Sequence, residues 1–179
     1  MRRRPMRSPR PMPPIEQRMF SNLCDILAQT PDAVANVRGG GVYPRLGGTV
    51  RFYQTRYGVL VCAEFVGLPT ANGPCAGRVF GFHIHEGEAC RGTWEDPFAD
   101  VGGHYNPDGC EHPAHAGDLP PLLGNHGYAL SVFLTDRFTV EQVLGRTVIV
   151  HGGVDDFTSQ PAGNAGQKIA CGRIMRQAK

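Results

Sequence analysis

Apolar and polar positions alternate in short runs along most of this chain. AVANVR (Ala33–Arg38), TVRFYQ (Thr49–Gln54) and VLVCAEFV (Val59–Val66) are rich in β-branched and aromatic residues and are bounded by glycine and proline. Successive side chains of a strand point to opposite faces. Val59, Val61, Ala63 and Phe65 therefore share one face, and Leu60, Cys62, Glu64 and Val66 the other. Val79–His85, Tyr128–Leu134, Thr147–His151 and Lys168–Ile174 are predicted strands of the same kind. No long helical pattern separates them, which predicts an all-β antiparallel sandwich or flattened barrel. Helical periodicity occurs once: Ile15, Met19, Leu23, Ile26 and Leu27 lie on one stripe between Pro14 and Pro31. This predicts a short amphipathic helix over 15–30. Packing against its own sandwich is the favoured role, with a homodimer contact as the alternative.

Composition changes this outline only at the N-terminus. The chain has 179 residues and 41% hydrophobic positions, enough for one domain with a real core. Five of the eighteen basic residues are arginines in MRRRPMRSPRPMPP, alongside five prolines and no acid. Residues 1–14 are thus predicted to be a disordered tail. The thirteen bases that remain face sixteen acids, so the body carries −3. It has no basic patch to extend the tail, so a solvated tail is preferred over a nucleic-acid or membrane partner. No apolar segment follows the arginines as in a secretory signal, and no run of 18 apolar residues occurs. The expected compartment is cytoplasmic.

The chemistry concentrates in Gly81–Asp118, which holds His83, His85, His104, His112 and His115, five of the seven histidines, and ends in Asp118. Imidazole is the commonest side-chain ligand for borderline transition metals. His83 and His85, two apart in an apolar run, face the same way on a strand. His112, His115 and Asp118 are spaced by threes around Pro113 and Gly117, which argues for a loop folded around an ion. HIH alone is weak, since short motifs match by chance; the cluster as a whole is not.

The ordered motifs HIHE, GGHYNP, HAGDL, GRTVIVH, the Asp155–Asp156 pair and GNAGQKIACG resemble the copper–zinc superoxide dismutase family, over roughly Val34 to Ile174. The resemblance implies an eight-stranded Greek key, one copper and one zinc per chain, and superoxide as substrate. It implies copper at His83, His85, His104 and His151, and zinc at His104, His112, His115 and Asp118, with His104 shared. It implies that Asp155 orients one histidine of each set, here His83 and His112, and that Cys90 and Cys171 form a disulfide. His104 is the implied proton carrier and Lys168 the implied guiding cation. Three features depart from the best-known members: a short zinc loop between His112 and His115, a short segment 155–166, and Lys168 in place of the usual arginine. Taken alone, a strand-end histidine such as His151 is more often structural, and Asp156 reads as a polar turn residue. His126 reads as a loop histidine. Cys110 is either a free or disulfide-bonded loop thiol or, less favoured, a soft metal ligand. Cys62 reads as a core residue, while Cys24 and Cys75 are unassigned. Two alternatives to an enzyme are a metal carrier on the same fold and an interaction module indifferent to metal.

Overall fold

The computed structural model describes residues 22–73 and 78–178 of the chain. The tail over 1–14, the first half of the predicted helix and Cys75 lie outside the described residues. Contacts divide the chain into one unit ending at Thr30 and a second beginning at Pro31. In the first, residues 22–27 are helical, and Ala28 N–H donates to the Cys24 carbonyl at 3.0 Å.

The described residues of the second unit form nine strand segments: β1 (Ala33–Gly39), β2 (Gly47–Thr55), β3 (Gly58–Val66), β4 (Arg78–Phe80), β5 (Phe82–His85), β6 (Leu122–Gly124), β7 (Ala129–Thr135), β8 (Thr147–His151) and β9 (Lys168–Arg176). Its helical content is one turn of α-helix, Val140–Val143, and one 3-10 turn, Ala99–Val101. Seven strands form an antiparallel sheet in the order β5-β8-β9-β1-β2-β3-β7, and β4 pairs with β6. Within it β9 returns to lie beside β1, next to the β1-β2-β3 meander, which is a Greek key. The narrow Asn125–Tyr128 pair joins β6 to β7, and Gly81 joins β4 to β5, so the neighbours run round into a flattened barrel.

Val79–His85, predicted as one strand, is two segments in different sheets. Gly81 is the break: its N–H donates to the Gly153 carbonyl, and its carbonyl accepts from His151 N–H, both at 2.8 Å. A Cβ on Gly81 would sit 2.8 Å from that of Ala165. Counting β4 and β5 as one interrupted strand gives eight, as the resemblance implied; β6 was not predicted.

The β3 alternation holds. Val59, Val61, Ala63 and Phe65 are fully buried, with Phe52, Phe80, Phe82 and Ile84, in one continuous core. Leu60 and Cys62 on the opposite face are also buried. A smaller cluster of Phe98, Val101, Ile149 and Cys171 lies beneath the Cys90–Cys171 disulfide, whose sulfurs are 2.02 Å apart. This bond ties the segment after β5 to the last strand. Among the described residues, Cys24, Cys62 and Cys110 are free thiols.

Candidate metal centre

β5 presents one edge to β8 and leaves the other open. The histidine-bearing loop fills that second edge. Ile84 N–H donates to the Gly117 carbonyl, Tyr105 N–H to the Ile84 carbonyl and Gly117 N–H to the Tyr105 carbonyl, each at 2.8 Å. His83 thereby sits opposite Asp118, and His85 opposite His104. Gly117 has to be glycine for this approach, because a Cβ there would lie 2.2 Å from the Ile84 oxygen. From the other edge β8 brings His151, where the β8–β9 ladder slips between Val150 and His151. Such an irregularity re-aims a side chain.

Two sets of donors result: His83, His85, His104 and His151, and His104, His112, His115 and Asp118. In each set one donor atom per residue lies within 4.8 Å of all the others. All are buried. His83 and His104 stack with ring centroids 3.9 Å apart.

The outer nitrogens are anchored. His85 Nδ1–H donates to the Gly102 carbonyl at 2.9 Å, and His151 Nδ1–H to the Gly166 carbonyl at 3.1 Å. Asp155 joins the sets, accepting from His83 Nε2–H at 2.7 Å and from His112 Nε2–H at 2.9 Å. These partners fix which nitrogen of each ring is left with a free lone pair. His85 and His151 turn their Nε2 atoms toward one another, 3.3 Å apart. Four further nitrogens are buried without a hydrogen-bond partner: His83 Nδ1, His104 Nε2, His112 Nδ1 and His115 Nδ1. Buried orphan groups are rare and demand a reason. A bound cation supplies one, because each atom is a lone pair directed into a donor set.

The electrostatics favour ligand-ready forms. Burial, with the neighbouring imidazoles of His104 and His151, pushes His83 down to about 2. Burial likewise holds His85 well below the usual histidine range. It takes His151 to about 4, aided by His104 and Lys168 and opposed by the bond to Gly166. Burial acts to raise Asp118, but its hydrogen bond with His104 and the imidazoles of His104, His112 and His115 outweigh that and hold it at about 2. At neutral pH these groups are neutral imidazoles beside a carboxylate, the protonation states that bind metal.

Several supports were not legible in the sequence. Arg137 Nη1–H groups reach the carbonyls of Pro113, His115 and Asp118 at 3.0, 3.3 and 3.3 Å, strapping the zinc-set loop. Gln160 pairs with the backbone of His112 in both directions. Gly163, at φ 65°, lies so close to Asp155 that a Cβ would fall 2.0 Å from Oδ1. Of these, only Gly163 stands inside a quoted motif, GNAGQKIACG. Lys168, the implied guiding cation, is paired: its Nζ donates to Asp96 Oδ2 at 2.5 Å. Cys110 is exposed and outside both donor sets, and His126 lies in the β6–β7 turn. Asp156 caps its own turn through the amides of Thr158 and Ser159, as predicted for a polar turn residue.

A Greek-key β-barrel holding two adjoining four-donor sets that share an imidazole defines a two-metal protein, with one all-histidine site and one closed by a carboxylate. A family model described as copper/zinc superoxide dismutase matches residues 46–174. A copper–zinc superoxide dismutase 2 of Aquifex aeolicus is 36% identical over 143 residues, covering 71% of this chain and 78% of its own. One of Deinococcus radiodurans is 33% identical over 144 residues, covering 70% and 75%. One of Legionella pneumophila is 31% identical over 156 residues, covering 83% and 90%. The chain belongs to the copper/zinc superoxide dismutase family. It is an oxidoreductase that dismutes superoxide to dioxygen and hydrogen peroxide, with copper and zinc as cofactors.

Proposed function

We propose that His83, His85, His104 and His151 hold the copper, that His104, His112, His115 and Asp118 hold the zinc, and that His104 serves both. The observation that carries this assignment is that four buried nitrogens with no hydrogen-bond partner all belong to histidines of the two donor sets. Four imidazoles suit Cu(II), and three with a carboxylate make the closed tetrahedral set of a structural zinc. When bound, copper supplies one-electron exchange in alternation between Cu(II) and Cu(I), so one superoxide is oxidised to dioxygen and a second is reduced to peroxide.

The protein's residues do the rest. His104 Nε2, buried and facing the copper set, is the atom proposed to hold a proton and deliver it to the nascent peroxide. Asp155 keeps His83 and His112 in the tautomers that direct Nδ1 at each metal. The Gly102 and Gly166 carbonyls do the same for Nε2 of His85 and His151. Lys168 is proposed to act on the substrate anion from the start of β9. Chain division at 14 and 30, cytoplasmic residence and the absence of nucleic-acid or membrane partners are likewise proposed, with a homodimer contact kept as the alternative to packing of the 15–30 helix on its own sandwich. Among the described residues no helix is long and apolar enough to cross a membrane. In the cytoplasm the Cys90–Cys171 bond would be an exception to the usual reduced state of thiols.

The test is metal content of the purified protein measured alongside superoxide consumption. One copper and one zinc per chain with rapid consumption is expected. Metal at full occupancy with no consumption would make the protein a carrier; folding and behaviour indifferent to metal would make it an interaction module.

A further inference from the structure

Lys168 opens β9 two residues after Gly166, whose carbonyl anchors His151. In the β8–β9 ladder Lys168 is itself the strand partner of His151. The acid that meets it is held in place. Asp96 Oδ1 accepts from Phe98 N–H at 3.1 Å, and its own N–H donates to Thr93 Oγ1 at 3.1 Å. Its carbonyl accepts from Thr93 and Ala99. Gly92 permits the turn, since a Cβ there would lie 2.1 Å from the Asp96 oxygen. Phe98 roots the turn in the cluster beneath the Cys90–Cys171 disulfide. Asp96 and Lys168 together line a cleft of about 440 Å³ that also includes Tyr43, Trp94, Glu95 and Gly166.

The Asp96 side chain is 43% exposed, and Lys168 19%. A pair this open adds little stability, because water competes for both partners. Its effect on the field is larger. A cation with a carboxylate 2.5 Å away acts at a distance as a dipole, and Glu95 makes this cleft wall net negative. The protein body is itself net negative. The only base on the cleft wall is therefore offset before an anion arrives.

We propose that Asp96 is a positioning residue that damps anion attraction: it holds Lys168 in a neutral pair at the copper-side cleft and so limits the rate at which superoxide is captured. This rests on the copper assignment above. Neutralising Asp96 should release the field without removing the turn, because asparagine keeps an oxygen for Phe98 N–H.

The test compares the parent, Asp96→Asn, Lys168→Gln and the double variant, each with matched copper and zinc. In Asp96→Asn, the superoxide rate constant at about 0.01 M salt should rise about 3-fold, short of the roughly 10-fold at the low end of electrostatic steering because a single charge is released. The gain should fade toward 0.1 M, where the Debye length shrinks from about 30 to about 10 Å. Azide affinity of the Cu(II) form, followed by its absorption spectrum, should rise by a similar factor. Lys168→Gln should lower the rate in the parent, by less than it lowers that of Asp96→Asn, and should abolish the gain in the double variant. A readout independent of metal is acylation of Lys168 by an amine reagent, mapped by mass spectrometry on metal-free protein; it should quicken in Asp96→Asn. Unchanged acylation would mean that the pair does not form in solution, and overturn the proposal. Faster acylation with unchanged azide affinity and salt slope would show a pair that damps nothing, and overturn it too. A parent that takes up no copper and consumes no superoxide would sink the copper assignment and this proposal with it, while the acylation result would still report on the pair.

Discussion

Three of the proposed copper ligands, His83, His85 and His151, stand on the paired strands β5 and β8. His112, His115 and Asp118 stand in a loop with no ladder of its own beyond the stitches to β5. On the copper side, strand alternation and the barrel aim the rings, and carbonyl oxygens of Gly102 and Gly166 complete the aim. On the zinc side the aim depends on side chains from elsewhere: Asp155, Gln160 and Arg137. The copper half is thus held by paired strand backbone. The zinc half is a loop whose order is shared among the ion and three remote supports. Losing one support should then be felt more at the zinc than at the copper.

The largest effect is expected from removing a strand-borne ligand. His151→Ala should lose copper and more than about 100-fold in superoxide consumption, beyond the range typical of an outer partner. Zinc should stay near one per chain, because His151 touches no member of that set except through the shared His104. Elemental analysis with a consumption assay decides it; full activity with copper retained would remove His151 from the site, and loss of both metals would end the contrast between the halves.

Asp155→Asn sharpens the contrast, because this carboxylate serves both halves. Losing such a partner typically costs about 10–100-fold in affinity or activity. His83 keeps the constraint of β5, whereas His112 keeps only the loop and its two bonds to Gln160. Zinc affinity should therefore drop further than copper affinity when each is measured by chelator competition. An equal loss would mean that strand placement confers no advantage, and no loss at either metal would make Asp155 a turn residue.

The same contrast explains what the sequence disclosed. HIH on a strand and His-x-x-His-x-x-Asp in a loop are local spacings, and local spacing fixes relative direction. The alternating faces of β3 were legible for the same reason. Gly81 was not, because the apolar run from Val79 to Ile84 is unbroken although the chain changes sheets within it. β6 is three residues long and carries too little pattern to register. Asp96, Arg137 and Gln160 act across separations of 72, 24 and 48 residues on an ammonium group or on backbone atoms. A backbone carbonyl carries no residue type, so no sequence signal marks its partner.

Arg137 gives the smallest and most selective test. Its Nη1 group serves the carbonyls of three residues that include two proposed zinc ligands, His115 and Asp118, and among the described residues its hydrogen bonds reach none of the proposed copper ligands. The guanidinium is exposed, so water competes for each of these bonds. Their net worth is then on the order of 1 kcal/mol, about fivefold in an equilibrium or a rate. Arg137→Met should speed zinc release to a chelator by about that factor, and amide exchange over residues 112–118 should rise with it. Copper retention and exchange over β5 and β8 should match the parent. Arg137→Lys should recover part of the effect, because an ammonium group donates to carbonyls but lacks the planar fork. If Arg137→Met releases copper and zinc equally fast, the loop and the strands yield together, and the zinc half has no separate dependence on its strap. If neither metal is released faster, the short loop between His112 and His115 is rigid by itself, and the three bonds to Arg137 only decorate it.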